Sequence, residues 1–85
     1  MKIKKTIKVK CKESCTMCEF RDDQLKEIAF IEEDKEYVAH LHEETQEYFA
    51  HDQEGREFLV GEIRWNKETK RDELVLIEGL ELVEE

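Results

Sequence analysis

At 85 residues, with 39% apolar and 44% charged side chains and a formal charge of −9, the chain suffices for one small domain. A chain of this size buries roughly 60–65% of the surface it exposes when unfolded, so the core is thin, and a metal ion or a second copy in a homodimer has stability to add. Patterned apolar clusters such as "EIAFIE", "EFLVGEIRW" and "ELVLIEGLELV" argue against a disordered tail, and no run approaches the roughly 18 apolar residues of a membrane span.

The N-terminal "MKIKKTIKVK" carries the positive charges of an export signal without the following apolar run, which points to the cytoplasm and to reduced thiols. Residues 1–12 hold six lysines and no acid, a net +6, whereas residues 13–85 hold 8 basic and 23 acidic side chains, a net −15. Within the basic block Lys2, Lys4, Thr6, Lys8, Lys10 and Lys12 share one parity and Ile3, Ile7, Val9 and Cys11 the other, with Lys5 the exception. That period of two predicts a strand with one wet and one buried face. The lysine face reads as an exposed or edge strand lying beside acidic strands, or as a contact for a phosphate-rich or acidic ligand. No arginine or aromatic residue is interleaved with the lysines, so direct nucleic-acid binding is disfavoured.

Residues 11–23 follow as a polar loop without a sustained period. They hold all three cysteines, Cys11, Cys15 and Cys18, an odd number that no closed disulfide framework can use up. The Cys15–Cys18 spacing is that of a zinc knuckle, with Cys11 delivered by the end of the first strand. Structural zinc takes four ligands. His40 is the chosen fourth, with His42, His51, Glu19 and Asp22 as other candidates. The opposing reading is free thiols, with Cys11 acting as a small buried hydrophobe. The spacing C-x3-C-x2-C also resembles the iron–sulfur motif of radical S-adenosylmethionine enzymes. That resemblance covers eight residues, Met17 stands where the family usually has an aromatic residue, and nothing downstream matches a cofactor site.

Residues 24–85 form an acidic body. "QLKEIAFIEEDKEYVAHLHEE" reads as two strands turning around Glu33 to Glu36, with Tyr37, Ala39 and Leu41 on one face and Val38, His40 and His42 on the other. A hairpin follows, turning at Gln53 to Arg56 around Gly55. The polar "NKETKRDE" makes the last turn, and Gly79 marks a bulge in the final strand. Short helices over 23–33 and 45–54 are the alternative, capped by Asp22 or Asp23 and by Thr45. The expected fold is mainly β, an antiparallel meander or small barrel in one domain with an N-terminal cysteine loop, or α+β if either helix forms.

The paired carboxylates carry the functional expectation. Dense negative charge reads either as a solvated surface or as a decoy that imitates duplex phosphates and occupies a basic groove on a protein partner. The contact residues expected are Glu32, Glu33, Asp34, Glu36, Glu43, Glu44 and Glu47, with Tyr48, Phe49 and Trp65 as aromatic anchors. The chain thus reads as a small non-enzymatic inhibitor or adaptor, of the kind phages and mobile elements encode, with a zinc knuckle. One alternative is a metal- or redox-responsive regulator. A second is a small metal-dependent hydrolase centred on His40 and His42, with Asp52 orienting His51; no phosphate loop, nucleophile elbow or H-E-x-x-H motif supports it.

Overall fold

A computed structural model describes residues 4–83; Lys2 and Ile3 of the basic alternation, and Glu84 and Glu85, lie outside the described residues. Eight strands occur among them: β1 (Thr6–Cys11), β2 (Cys15–Arg21), β3 (Gln24–Ile31), β4 (Glu36–His42), β5 (Glu47–His51), β6 (Glu57–Asn66), β7 (Arg71–Leu76) and β8 (Leu80–Leu82). The fold is all-β and antiparallel, as the alternation predicts. Both segments read as possible helices are strands. Asp22 and Asp23 do not cap a helix: with φ of 50° and 63° they form the two-residue turn that joins β2 to β3.

Six strands form one sheet in the order β7-β6-β5-β4-β1-β8, and β2 and β3 pair as a separate hairpin. The lysine strand β1 is therefore interior to its sheet, between β4 and β8, and guards no edge. The turn expected near Glu33 does join two strands, but β3 and β4 do not pair. β3 goes with β2, and β4 with β1 and β5. The three residues 77–79 connect β7 to β8, which bounds the gap between the two sheet edges at about 14 Å and leaves the sheet nearly closed as a barrel. Gly79 (φ +94°) sits in that turn and makes no bulge.

Closure depends on a bend in β6. Phe49 faces Leu59 while Tyr48 faces Gly61, so Val60 is the extra residue of a bulge, which sharpens the local twist. Next to it Gly61 lets β7 approach. A Cβ there would stand 2.6 Å from the Val75 carbonyl oxygen and 3.1 Å from the Leu76 Cα, both backbone atoms.

The interior is packed by Ile7, Val9 and Cys11 of β1, Tyr37 and Ala39 of β4, Tyr48 and Ala50 of β5, Phe58 and Val60 of β6, and Leu80 of β8. Tyr37 and Phe58 meet edge to face, with centroids 5.5 Å apart. Ala29 and Ile31 of β3, with Cys15 and Met17 of β2, add the inner face of the hairpin base to this core. Parity places these residues as the sequence implies: along β4 the residues Tyr37, Ala39 and Leu41 turn inward, while Val38, His40 and His42 turn outward. No helix is long and apolar enough to cross a membrane among the described residues.

Candidate interaction surface

The two carboxylate clusters sit at opposite ends of β4. Glu32, Glu33 and Asp34 occupy the β3–β4 turn with Glu36 at the start of β4, and all four are exposed. Glu43 and Glu44 occupy the β4–β5 turn, and Glu47 is half-buried at the start of β5. Six residue steps along a strand separate the clusters by roughly 20 Å. The first turn is held from several sides. The Glu32 amide donates to the Tyr37 hydroxyl at 2.9 Å, the Glu33 amide to Ser14 Oγ at 2.7 Å, and the Asp34 amide to the Cys11 carbonyl at 2.8 Å. Asp34 takes φ of 65° there, a conformation aspartate tolerates better than most residues.

Three lysines of the basic block lie against these acids. Lys10 is 3.9 Å from Asp34, Lys8 3.9 Å from Glu36 and Lys5 3.5 Å from Glu43. Each such exposed pair is worth about 1 kcal/mol at most, yet together they neutralise much of the basic block. Glu32, Glu33, Glu44 and Glu47 have no ion-pair partner among the described residues. Glu47 lies directly opposite Glu62, a like-charge pair across β5 and β6 that Arg64 offsets by pairing with Glu62.

Of the three aromatic anchors expected, Trp65 is 60% exposed near the end of β6, and Phe49 is half-buried on the outer face against His42, with ring centroids 4.5 Å apart. Tyr48 is not an anchor. It is 1% exposed, fills the barrel, and its hydroxyl donates to the Lys4 carbonyl. Burial holds that phenol above its ordinary pKa. Sequence reasoning missed a different apolar site. Phe20 and Leu25, 68% and 69% exposed, face each other across the hairpin beyond the barrel. The signal available was the Asp22-Asp23 pair, a two-residue turn flanked by apolar residues.

The cysteine segment is a strand where a loop was expected, and this spreads the thiols. Cys11 is buried and its Sγ–H donates to the Glu13 carbonyl at 3.0 Å; burial raises its pKa, outweighing that bond, with Cys15, Glu33 and Asp34 adding to the rise. Cys15 packs against the core beside Met17, whereas Cys18 is exposed, three residues along the same strand and hence on the opposite face. His40 points outward from β4, its Nδ1 3.5 Å from Thr6 Oγ1, whereas Cys11 points into the barrel. Among the described residues no group of three or more His, Cys, Asp or Glu side chains gathers where it could hold a metal ion. The zinc ligand set of Cys11, Cys15, Cys18 and His40 is thus not convergent as the strands place it.

Asp52 does not orient His51, which is exposed and 4.0 Å from Glu57. The Asp52 carboxylate is instead the seam between barrel and hairpin. Its Oδ2 accepts from the Phe30 amide at 3.1 Å and from Arg56 Nε at 2.9 Å, and its Oδ1 accepts from the Glu54 and Arg56 amides at 2.9 Å. Gln53 completes the seam by donating to the Phe30 carbonyl at 3.0 Å. Burial pushes the Asp52 carboxyl up, but the bonds from the Arg56, Phe30 and Glu54 amides and the Arg56 guanidinium outweigh it and hold the pKa at about 2.

No family model matches the chain, and neither a curated protein nor a solved structure matches it.

Proposed function

We propose that the protein is a non-catalytic binding protein, working in the cytoplasm, whose exposed carboxylates engage a protein partner with a basic surface. The observation that supports this best is the fate of the lysine strand. Lys8 and Lys10 of that strand and the preceding Lys5 lie against Glu36, Asp34 and Glu43, while Glu32, Glu33, Glu44 and Glu47 stand as unpaired negative charge at both ends of β4. The barrel is filled by its own side chains, so the surface is where a partner is met. Because the β3–β4 turn is tied to Ser14, Tyr37 and Cys11 through its amides, its backbone loses little freedom on binding. Two charged patches roughly 20 Å apart suit a groove that follows a nucleic-acid backbone, so the protein acts as a decoy that imitates duplex phosphates and occupies such a groove.

The test is a pull-down at low and high salt, followed by competition with duplex DNA for each captured basic protein. Binding weakens steeply with salt and DNA competes. Converting Glu32, Glu33 and Glu36 to Gln and Asp34 to Asn lowers the association rate about tenfold and changes the dissociation rate less. Retention at high salt without DNA competition would sink the reading. Zinc is a separate proposal: Cys11, Cys15 and Cys18 meet one ion only if β2 unpairs from β3 around Cys18. Native mass spectrometry decides it, with one zinc per reduced chain in support and a metal-free folded chain against.

A further inference from the structure

The β2–β3 hairpin leaves the barrel beyond its base. From Gln24 to Glu27 every residue of β3 is exposed, and on β2 so are Cys18, Phe20 and Arg21. In a hairpin closed by a two-residue turn, the flanking pair Arg21–Gln24 exchanges hydrogen bonds, and the next pair, Phe20–Leu25, does not. The amide and carbonyl of Phe20, and by alternation those of Cys18 and Thr16, therefore face away from β3. No backbone hydrogen bond from them to another element occurs among the described residues. β2 is an open edge strand, and at its outer end Phe20 and Leu25 are the two most exposed large apolar side chains among the described residues. Natural sheets seldom leave such an edge uncovered.

The edge is self-complementary. Glu19 and Arg21 flank Phe20 and pair with each other at 3.0 Å. If a second copy lies antiparallel along β2 with the two-fold axis at Phe20, each Glu19 faces the other copy's Arg21, and the two Phe20 residues exchange both backbone hydrogen bonds. The row Leu25–Phe20–Phe20–Leu25 then crosses a four-stranded sheet on one face, with neighbouring strands about 4.8 Å apart. Of the neighbouring registers, the one centred on Glu19 sets the two Glu19 residues directly opposite each other, and the one centred on Cys18 sets them diagonally and puts Arg21 opposite Cys15, so charge selects the register centred on Phe20. We propose that the β2 edge is a homodimerisation surface in which two copies pair antiparallel through Glu19–Arg21, with Phe20 at the two-fold axis. The contact is confined to the arms and falls below the standard interface of about 800 Å² per partner, which makes the dimer a weak one.

Sedimentation equilibrium under reducing conditions, at chain concentrations from about 10 μM to about 1 mM, tests this. The apparent mass rises with concentration from the 10.2 kDa of one chain toward double that value. Phe20→Asp stays monomeric throughout. Glu19→Arg alone sets arginines against each other and weakens the dimer about tenfold, and adding Arg21→Glu restores it. Far-ultraviolet circular dichroism and the melting temperature serve as fold controls, since these side chains lie outside the core. A wild-type chain that remains monomeric to about 1 mM overturns the proposal. So does a dimer that survives Phe20→Asp, or a reversed-charge pair that fails to restore association.

Discussion

Replacing Asp52 by alanine tests whether one carboxylate holds the hairpin to the barrel. The substitution removes the acceptor of four hydrogen bonds and leaves the Phe30, Glu54 and Arg56 amides to find water or stay unpaired. Each bond to a charged group is worth about 1.5–3 kcal/mol, but the amides of the turn can be partly rehydrated. A net loss of about 3 kcal/mol follows, of the roughly 4–13 kcal/mol that holds a domain of this size. At about 4–8 °C per kcal/mol the melting temperature falls by about 15 °C. The pH dependence is the sharper readout. The folded-state pKa of about 2 lies below the ordinary 3.8, so the contribution is complete above the unfolded value and is lost as pH falls through the folded one. That difference corresponds to about 2 kcal/mol, lost between about pH 5 and pH 2. Asp52→Asn keeps the shape and removes the titration, so its deficit against wild type shrinks across the same window. Urea titrations followed by circular dichroism at neutral pH and near pH 2.5 measure both effects, and amide exchange at Phe30 shows whether the hairpin loosens first. A loss under 1 kcal/mol for Asp52→Ala, or an Asn deficit unchanged by acid, would refute the reasoning.

The strand register makes a second prediction: Val9→Asp buries an unpaired charge and unfolds the protein at room temperature, whereas Lys8→Glu on the outer face costs about 1 kcal/mol or less in denaturant titrations. Gly61→Ala forces a Cβ onto the β7 backbone and costs about 2 kcal/mol, more than the ~1 kcal/mol for Gly55→Ala, whose site (φ +81°) has open space around it; thermal melts rank the two. Thiol labelling of the native reduced protein proceeds fast at Cys18, more slowly at half-buried Cys15, and at Cys11 only on unfolding, where burial has also raised the pKa. Three equal rates in a thiol-exchange assay would contradict the placement of β2.

β1 and β4 were legible in the sequence because each has one face in the core and one in water, so polarity itself alternates. β2 was not, and the reason is physical. Burial alternates along it from Cys15 to Phe20, but in the outer half Glu19 takes the half-buried position and Phe20 the exposed one, so polarity does not follow the period of two. Pairing partners were illegible for a related reason. Alternation says which face of β4 is buried but not that β1, distant in sequence, intervenes where β3 is the chain neighbour. Tyr48 and Phe49 show the same limit within one strand. Adjacent aromatic residues offer two apolar faces, and what places Tyr48 inside is its parity with Ala50 together with a hydroxyl partner at Lys4, 44 residues away.

Charge behaves differently from packing. The net −15 of residues 13–85 is a property of composition and survives any rearrangement of the fold. Which carboxylates act is a property of the structure. Those near Lys5, Lys8 and Lys10 have their charge partly offset by a lysine at 3.5–3.9 Å, which weakens their net field at a distance. Glu32 and Glu33, on the β3–β4 turn, and Glu44, at the far end of β4, are exposed without an ion-pair partner among the described residues, and on the proposed function they are the charges that would steer a basic partner. The turn that carries Glu32 and Glu33 is anchored through Ser14 and through Tyr37 and Cys11, two residues of the barrel core. The thin core and the charged surface thus share their bonds: those that hold the β3–β4 turn against the barrel also hold the backbone from which its carboxylates extend.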